Sequence, residues 1–268
     1  MQVTRLTRRL IHLRQVAQHI DQQLDSALKL GDLADIAHLS RFHFERVFAH
    51  YAGESPLTRV RRLRLLRARQ RIEQGEVSSL LELALDSGYN SPEAFSRAFR
   101  AQFGCAPSQW PRAAAPETPR FRVTHLPAFA IQYIPFRGSL QDSLHPFDEL
   151  RARAMLQDIP RERRKGWCVQ YSGLHAGETV ELHAALLSER LGTRIKQLSL
   201  GELPGGEYAV ISLQGSYALP DPATLAARIL QDTGRRAGNG PLLRSFHNAS
   251  YLPAEFEKRS ELYVPLAS

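Results

Sequence analysis

The chain of 268 residues predicts two domains of different class: an all-α domain of two helix-turn-helix motifs, then an α+β domain of two strand-helix-strand repeats. Three observations predict this. A proline-rich break, PRAAAPETPR at Pro111–Arg120, separates text with helical periodicity from text in which β-branched and aromatic runs alternate with helical stretches. Each side of the break repeats itself internally. Charge is uneven: residues 1–115 hold 17 basic and 11 acidic side chains (+6), and residues 116–268 hold 18 and 16 (+2), which together make the formal +8. The boundaries read as 1–112 for the first domain, 113–119 for a linker and 120–268 for the second.

The elements of the first domain follow in order. Leu10, Leu13, Val16, Ile20 and Leu24 recur every three or four residues, an amphipathic helix. Asp32 is placed to cap a short helix through Ala37, and Ser40 to cap the next, Arg41 to Tyr51. Ser55-Pro56 opens a long helix, with Leu57, Val60, Leu65, Ala68 and Ile72 as its stripe and Gly75 as its stop. Ser79 and Glu82 form a capping box, Ser91-Pro92 starts the last helix, and Gly104 ends it. An offset of 51 maps Ser40 to Ser91, Phe44 to Phe95, Arg46 to Arg97, Phe48 to Phe99, Gly53 to Gly104 and Pro56 to Pro107. Short helix, tight turn and capped second helix occur twice.

In the second domain an offset of 77 maps Pro127 to Pro204, Gly138 to Gly215 and Ser139 to Ser216. LPAFAIQYIPFRGS and LPGGEYAVISLQGS each read as turn, strand and glycine. FDELRARAML and PATLAARILQ follow as helices.

Composition excludes several classes. No run approaches the ~18 apolar residues of a membrane span, and the basic, helically spaced MQVTRLTRRLIHL is not a secretory signal. Cys105 and Cys168 alone build no disulfide framework and suit a reducing, cytoplasmic setting. The ten histidines show no metal-site spacing, so no metal or other cofactor is expected. No Ser-His-Asp pattern is present, and the chain is read as a non-enzyme.

A +6 helical domain points to a polyanion. In the second helix of the first motif, Phe44, Val47 and Phe48 face a core, while Phe42, Glu45 and Arg46 lie on the other side. Phenylalanine suits a thymine methyl, arginine a guanine, and glutamate the cytosine amino group. The matching face of the second motif carries Glu93, Ala94, Ser96 and Arg97. Against this stands a merely solvated face with both arginines in surface ion pairs. The same pattern occurring twice favours base reading. Of the seven arginines on the long helix (Arg59, Arg61, Arg62, Arg64, Arg67, Arg69 and Arg71), some are expected at DNA phosphates and others in pairs with carboxylates.

LADIAHLSRFHFERVF and LALDSGYNSPEAFSRAFRAQFGCAPSQW resemble the two signatures of the AraC/XylS-type DNA-binding domain, over roughly residues 5–112. The resemblance implies two helix-turn-helix subdomains joined by the helix of residues 56–74, with double-stranded DNA as partner and RNA polymerase as a further one. His38 departs from it, standing where Gly88 stands in the second motif. Histidine tolerates left-handed backbone better than most residues, so an intact turn is expected.

The strand-glycine segments, GWCVQYSG and the closing SELYVPLAS resemble a GyrI-like effector-binding domain over roughly residues 120–268. An AraC-type domain ahead of a GyrI-like one is the order of Rob-like regulators. The resemblance implies a small-molecule effector between the two repeats, with Glu261 facing it. Read as a strand, Glu261 shares a face with Tyr263, opposite Leu262 and Val264. Trp167, Tyr171, Tyr133 and Phe246, with Tyr208, are available as aromatic walls. Aromatics around a carboxylate suit a lipophilic cation. A Glu261 buried without a protein cation would have a raised pKa. Ordinary core aromatics with a solvated Glu261 are the alternative. A domain that docks a protein, or one that hydrolyses a reactive electrophile through Glu261 and Tyr171, remains as a different function.

Overall fold

The computed structural model describes residues 2–111, 119–172, 178–215, 221–247, 252–254 and 257–267. Most of the expected linker, 113–118, lies outside the described residues, as does Ser216. The chain divides into two compact units. One comprises Met1–Ile11, Pro119–Ala249 and Glu255–Ser268; the other comprises His12–Thr118 and Ser250–Ala254.

The helical elements are α1 (Gln2–Gln22), α2 (Leu30–Ile36), α3 (Arg41–Ala52), α4 (Pro56–Gln74), α5 (Leu80–Asp86) and α6 (Pro92–Phe103). Local chemistry accounts for most of their ends. Ser55, Ser79 and Ser91 accept from the backbone N–H three residues on, at 3.3, 3.1 and 3.2 Å. These bonds satisfy N–H groups that a first turn leaves without a helical partner. Gly53, Gly75 and Gly104 end α3, α4 and α6 in the left-handed region, with φ of 82°, 74° and 85°.

Three expected caps differ. Asp32 lies inside the first turn of α2, which starts at Leu30 behind Lys29, so its carboxylate faces the helix dipole rather than capping it. Ser40 occupies the cap position of α3 in extended backbone but makes no side-chain cap bond. Glu82 turns its carboxylate to the Ser78 hydroxyl, so only half of the capping box forms.

Both motifs turn as expected. His38 has φ 53° and Gly88 φ 78°, so the histidine takes the left-handed turn that a glycine takes in the second motif. Phe44 and Phe48 are fully buried, as are their repeat partners Phe95 and Phe99. The second motif builds its core from Leu65 and Ala68 of α4, Leu83 and Ala84 of α5, and Phe95 and Phe99 of α6. Trp110 closes it, its indole donating to Glu73 at 2.9 Å.

The other unit holds β1 (Arg122–Leu126), β2 (Phe129–Gly138), α7 (His145–Met155), β3 (Gly166–Ser172), β4 (Val180–Leu187), α8 (Ser188–Leu191), β5 (Ser199–Leu203), β6 (Gly206–Gln214), α9 (Pro222–Thr233), β7 (Leu242–Phe246) and β8 (Arg259–Pro265). Among the described residues its eight strands form one antiparallel sheet in the order β1-β6-β8-β7-β3-β4-β2-β5. The offset of 77 carries the starts of β1, β2 and α7 onto those of β5, β6 and α9. Each repeat is therefore longer than strand-helix-strand: two strands, a helix, two strands. The first strand of each crosses to the other repeat, β1 pairing with β6 and β5 with β2. The halves meet at β3 and β7, where Trp167 opposes Ser245 and Val169 opposes Leu243.

Alternation along the strands separates two faces. On one, Cys168, Leu182, Ala184 and Leu186 pack with Leu150 and Ala154 of α7, and Ile211, Leu262 and Val264 pack with Leu225 and Ile229 of α9. On the other, Ile131, Trp167, Val169, Ala185, Leu187, Tyr208, Val210, Leu243 and Tyr263 form a cluster that includes no residue of α7 or α9.

Candidate functional site

Two sets of side chains carry chemistry, one in each unit. In the helical unit, α3 buries Phe44, Val47 and Phe48 and presents Phe42, Glu45 and Arg46 to solvent. Phe42 is 79% exposed, which no core requirement explains. In α6, Glu93 and Arg97 are exposed and Ala94 and Ser96 half-buried. Among the described residues no carboxylate pairs with Arg46 or Arg97 within 4.0 Å, so the ion-pair alternative has no geometric support. Glu93 is held below the usual carboxylate range by its own backbone N–H and by Ser91, with Arg97 assisting. It is ionised at neutral pH, an acceptor beside a donor.

The arginines of α4 are mostly committed elsewhere. Arg59 is 1% exposed and donates to the carbonyl of Leu252 at 2.5 Å. Arg62 grips Glu54 at 2.7 Å, Arg67 grips Asp25 at 2.8 Å, and Arg71 grips Asp86 at 2.6 Å. Arg64 donates to the carbonyls of Leu24 and Ser26 at 2.8 and 2.7 Å. Arg69 lies over Phe103 and Trp110. Arg62, Arg67 and Arg71 thus pair with carboxylates, as some of the seven are expected to, while Arg61 is exposed.

In the sheet unit, Glu261 lies on the face away from α7 and α9. Its Oε2 accepts from the Tyr263 hydroxyl at 2.8 Å, and its Oε1 accepts from Arg122 Nη2 at 2.6 Å. His247 Nε2 is 3.3 Å from Oε2 and also bonds the Ser245 hydroxyl at 2.8 Å. Burial pushes the Glu261 carboxyl up, but hydrogen bonds from Arg122 and Tyr263, with the charge of Arg122, outweigh burial and leave it below the usual carboxylate range. The condition set for a raised pKa, a carboxylate without a protein cation, is not met: Arg122 of β1 already serves it. Tyr263 is pushed up to about 12 by burial and by Glu261, so its hydroxyl stays a donor.

Trp167 and Tyr208 flank Tyr263, with ring centroids 5.4 and 6.3 Å away. Lys165 lies 5.9 Å from the Trp167 ring, its pKa lowered by burial and by Arg190. Trp167 is 5% exposed, yet among the described residues no acceptor meets its indole N–H. A buried donor left unmade costs about 1–3 kcal/mol, and such atoms stand out at sites awaiting a partner.

Tyr133 and Tyr171 gather instead around His183. Tyr133 stacks on the imidazole at 4.0 Å, and the Tyr171 hydroxyl lies 3.3 Å from its Nδ1. The hydroxyl on Glu261 is that of Tyr263, not Tyr171. Phe246 does not join the Glu261 face. It points to the helix side and meets Phe147 edge-on at 5.5 Å, because Ser245, one residue earlier, is the residue paired with Glu261. Arg122, Lys165, His247 and His183 went unnoticed in the sequence. His183 shares the alternation of Ala185 and Leu187 and was legible in principle. Arg122 lies 139 residues from Glu261 and carried no local signal.

The helical geometry defines a protein with two helix-turn-helix motifs in one chain. Residues 33–113 match the family described as a helix-turn-helix domain. The transcriptional regulator CdhR of Pseudomonas aeruginosa is 35% identical over 97 residues, which cover 36% of this chain and 29% of that protein. The chain thus spans less than a third of that relative's length. The DNA-binding domain of AdpA, solved with a target DNA, is 31% identical, with 36% of this chain and 86% of that one covered at a TM-score of 0.34. The protein SAV2435, solved with tetraphenylphosphonium, is 12% identical, with 56% and 94% covered at a TM-score of 0.38. No described helix is long and apolar enough to cross a membrane.

Proposed function

We propose that the chain is a sequence-specific DNA-binding transcription regulator. Residues 1–112 read DNA through Phe42, Glu45 and Arg46 of α3 and Glu93, Ala94, Ser96 and Arg97 of α6, and residues 120–268 answer to a small ligand. The observation that carries the DNA reading is the paired presentation of exposed, unclaimed arginines on the second helices of two motifs that match a helix-turn-helix family. Two readers in one chain reach successive major-groove segments without dimerisation, and the bound protein then recruits or blocks RNA polymerase.

The ligand reading rests on the Glu261 face. Arg122 is 54% exposed, so a ligand cation can replace it on the carboxylate at small cost. Trp167 and Tyr263, 5% and 7% exposed, back the carboxylate, and Lys165, over the Trp167 ring, would have to move for a ligand to reach that ring. Tyr133 and Tyr171 lie further along the same sheet. The class that fits is a small molecule with a cationic centre and an apolar body.

The test is binding of the full chain to duplexes selected from a random-sequence pool. Affinity should fall steeply between 50 and 200 mM salt, by about 10³-fold or more if six or more phosphates are contacted. Binding insensitive to salt, or selection of no shared site, overturns the proposal.

A further inference from the structure

Three arginines of α4 that find partners within the fold form a pattern. Arg64, Arg67 and Arg71 stand at i, i+3 and i+7, one face of the helix. Towards the first motif, Arg64 donates to the carbonyls of Leu24 and Ser26, and Arg67 grips both oxygens of Asp25 at 2.8 and 2.9 Å. These three acceptors lie in the connection from α1 into α2. Towards the second motif, Arg71 binds Asp86 at the last residue of α5. The Arg64 guanidinium also lies against Gly88, so a side chain there would require the end of Arg64 to shift. Leu24 and Asp25 from one motif and Leu83 and Asp86 from the other line a single small cavity with these arginines.

We infer that Arg64, Arg67 and Arg71 form a clamp that fixes the separation of the two helix-turn-helix motifs, and thereby the spacing of the two DNA segments the protein accepts. The inference rests on the DNA-binding reading. The three are positioning residues: they act through the motifs and need touch no DNA. The chemistry suits the task. A guanidinium offers five donors in a rigid plane, so one side chain can hold two partners at once, and Arg64 does. The Arg67–Asp25 and Arg71–Asp86 pairs are solvent-accessible and weak one at a time, so the clamp acts as a set with the two Arg64–carbonyl bonds. A side chain at Gly88 would strain the left-handed turn and displace the end of Arg64 as well.

The experiment uses the full chain and the duplex that the wild-type protein selects, together with versions in which one or two base pairs are inserted or removed between its two half-sites. Wild type should bind the selected spacing at least tenfold more tightly than the altered ones. In Arg64→Gln/Arg67→Gln that preference should shrink to about threefold or less. Binding to a duplex with one intact half-site should be unchanged, and so should the salt slope. The exchange variant Arg67→Asp/Asp25→Arg rebuilds one arm with reversed polarity and should keep most of the wild-type preference, whereas Arg67→Asp alone loses it. Equal loss at every spacing with a shallower salt slope would make the arginines phosphate contacts and overturn the clamp. An unchanged spacing preference would overturn it as well. A double variant that fails to fold, with an exchange variant that folds but prefers no spacing, would assign the arginines to stability alone. Absence of any salt-sensitive binding by wild type would instead remove the DNA-binding reading itself.

Discussion

Replacing Glu261 by Gln keeps the shape of the side chain and removes its charge. In the structure the carboxylate is matched by Arg122 at 2.6 Å, with side chains 54% and 21% exposed. A solvent-exposed pair of this kind is worth about 0–1 kcal/mol, so a ligand cation displacing Arg122 sacrifices little. A quaternary ammonium donates no hydrogen bond, so its own ion pair with Glu261 is worth up to about 1 kcal/mol, or roughly fivefold in affinity, while its ring contacts do not depend on the carboxylate. Glu261→Gln should therefore weaken a quaternary ammonium such as benzyltrimethylammonium by that factor, and its neutral isostere neopentylbenzene by less than about twofold. Arg122→Gln should do the opposite for the cation, strengthening it by up to about fivefold, the whole worth of an exposed pair. Titration calorimetry on wild type and both variants at pH 8 reads all of these. Equal losses for the two ligands in Glu261→Gln, or a weaker cation in Arg122→Gln, would refute the exchange. Arg122 would then be a fixed structural partner, and the face would belong to something other than a cation.

Other outcomes follow from the same geometry. Arg46→Ala and Arg97→Ala should each cost about 1–3 kcal/mol at the selected DNA site and relax discrimination at separate base positions; equal weakening on random DNA would make them phosphate contacts. Burial lowers the pKa of both His183 and His247, so the folded protein binds fewer protons there than the unfolded chain. The stability they contribute is present above pH 6.5 and is lost as pH falls through that value toward the lowered folded one. The melting temperature of wild type should accordingly drop on acidification from pH 7.5 to 5.5 by more than that of His183→Gln/His247→Gln, and an equal drop would show that the two imidazoles titrate alike in both states. Cys168 is buried, its thiol pushed up to about 12 by desolvation. A thiol reagent should label only the half-buried Cys105 in native protein and both cysteines in urea. Phe95→Ala removes a fully buried ring between Tyr89 and Phe99 and should cost about 3–5 kcal/mol on denaturant melting.

Much of this protein was legible in one dimension because the relevant physics is local. Serine caps, prolines at first helical positions and glycine stops act within three or four residues, and they marked α3, α4 and α6. Period 3.6 separated Phe44, Val47 and Phe48 from Phe42, Glu45 and Arg46, and the structure keeps those faces. Period 2 placed Glu261 with Tyr263 in the same way. Repeat offsets are properties of the text, and the offset of 77 proved to organise the sheet from β1 to α9.

What the sequence left open is what pairing across the chain decides. The crossing of β1 and β5 between repeats brings Arg122 beside Glu261, and no periodicity encodes a contact 139 residues long. Phe246 went to the helix side because strand register, a tertiary quantity, sets which of two adjacent residues faces the carboxylate. The text could not sort the α4 arginines between phosphates and carboxylates, and only packing gave Arg64 two carbonyls and Arg67 and Arg71 their carboxylates. The sequence by itself determined the elements, their faces and their repetition, since each follows from bonds within a turn or a pleat. The tertiary structure decided which charges meet, because a charge can be claimed by any partner the fold brings within about 4 Å.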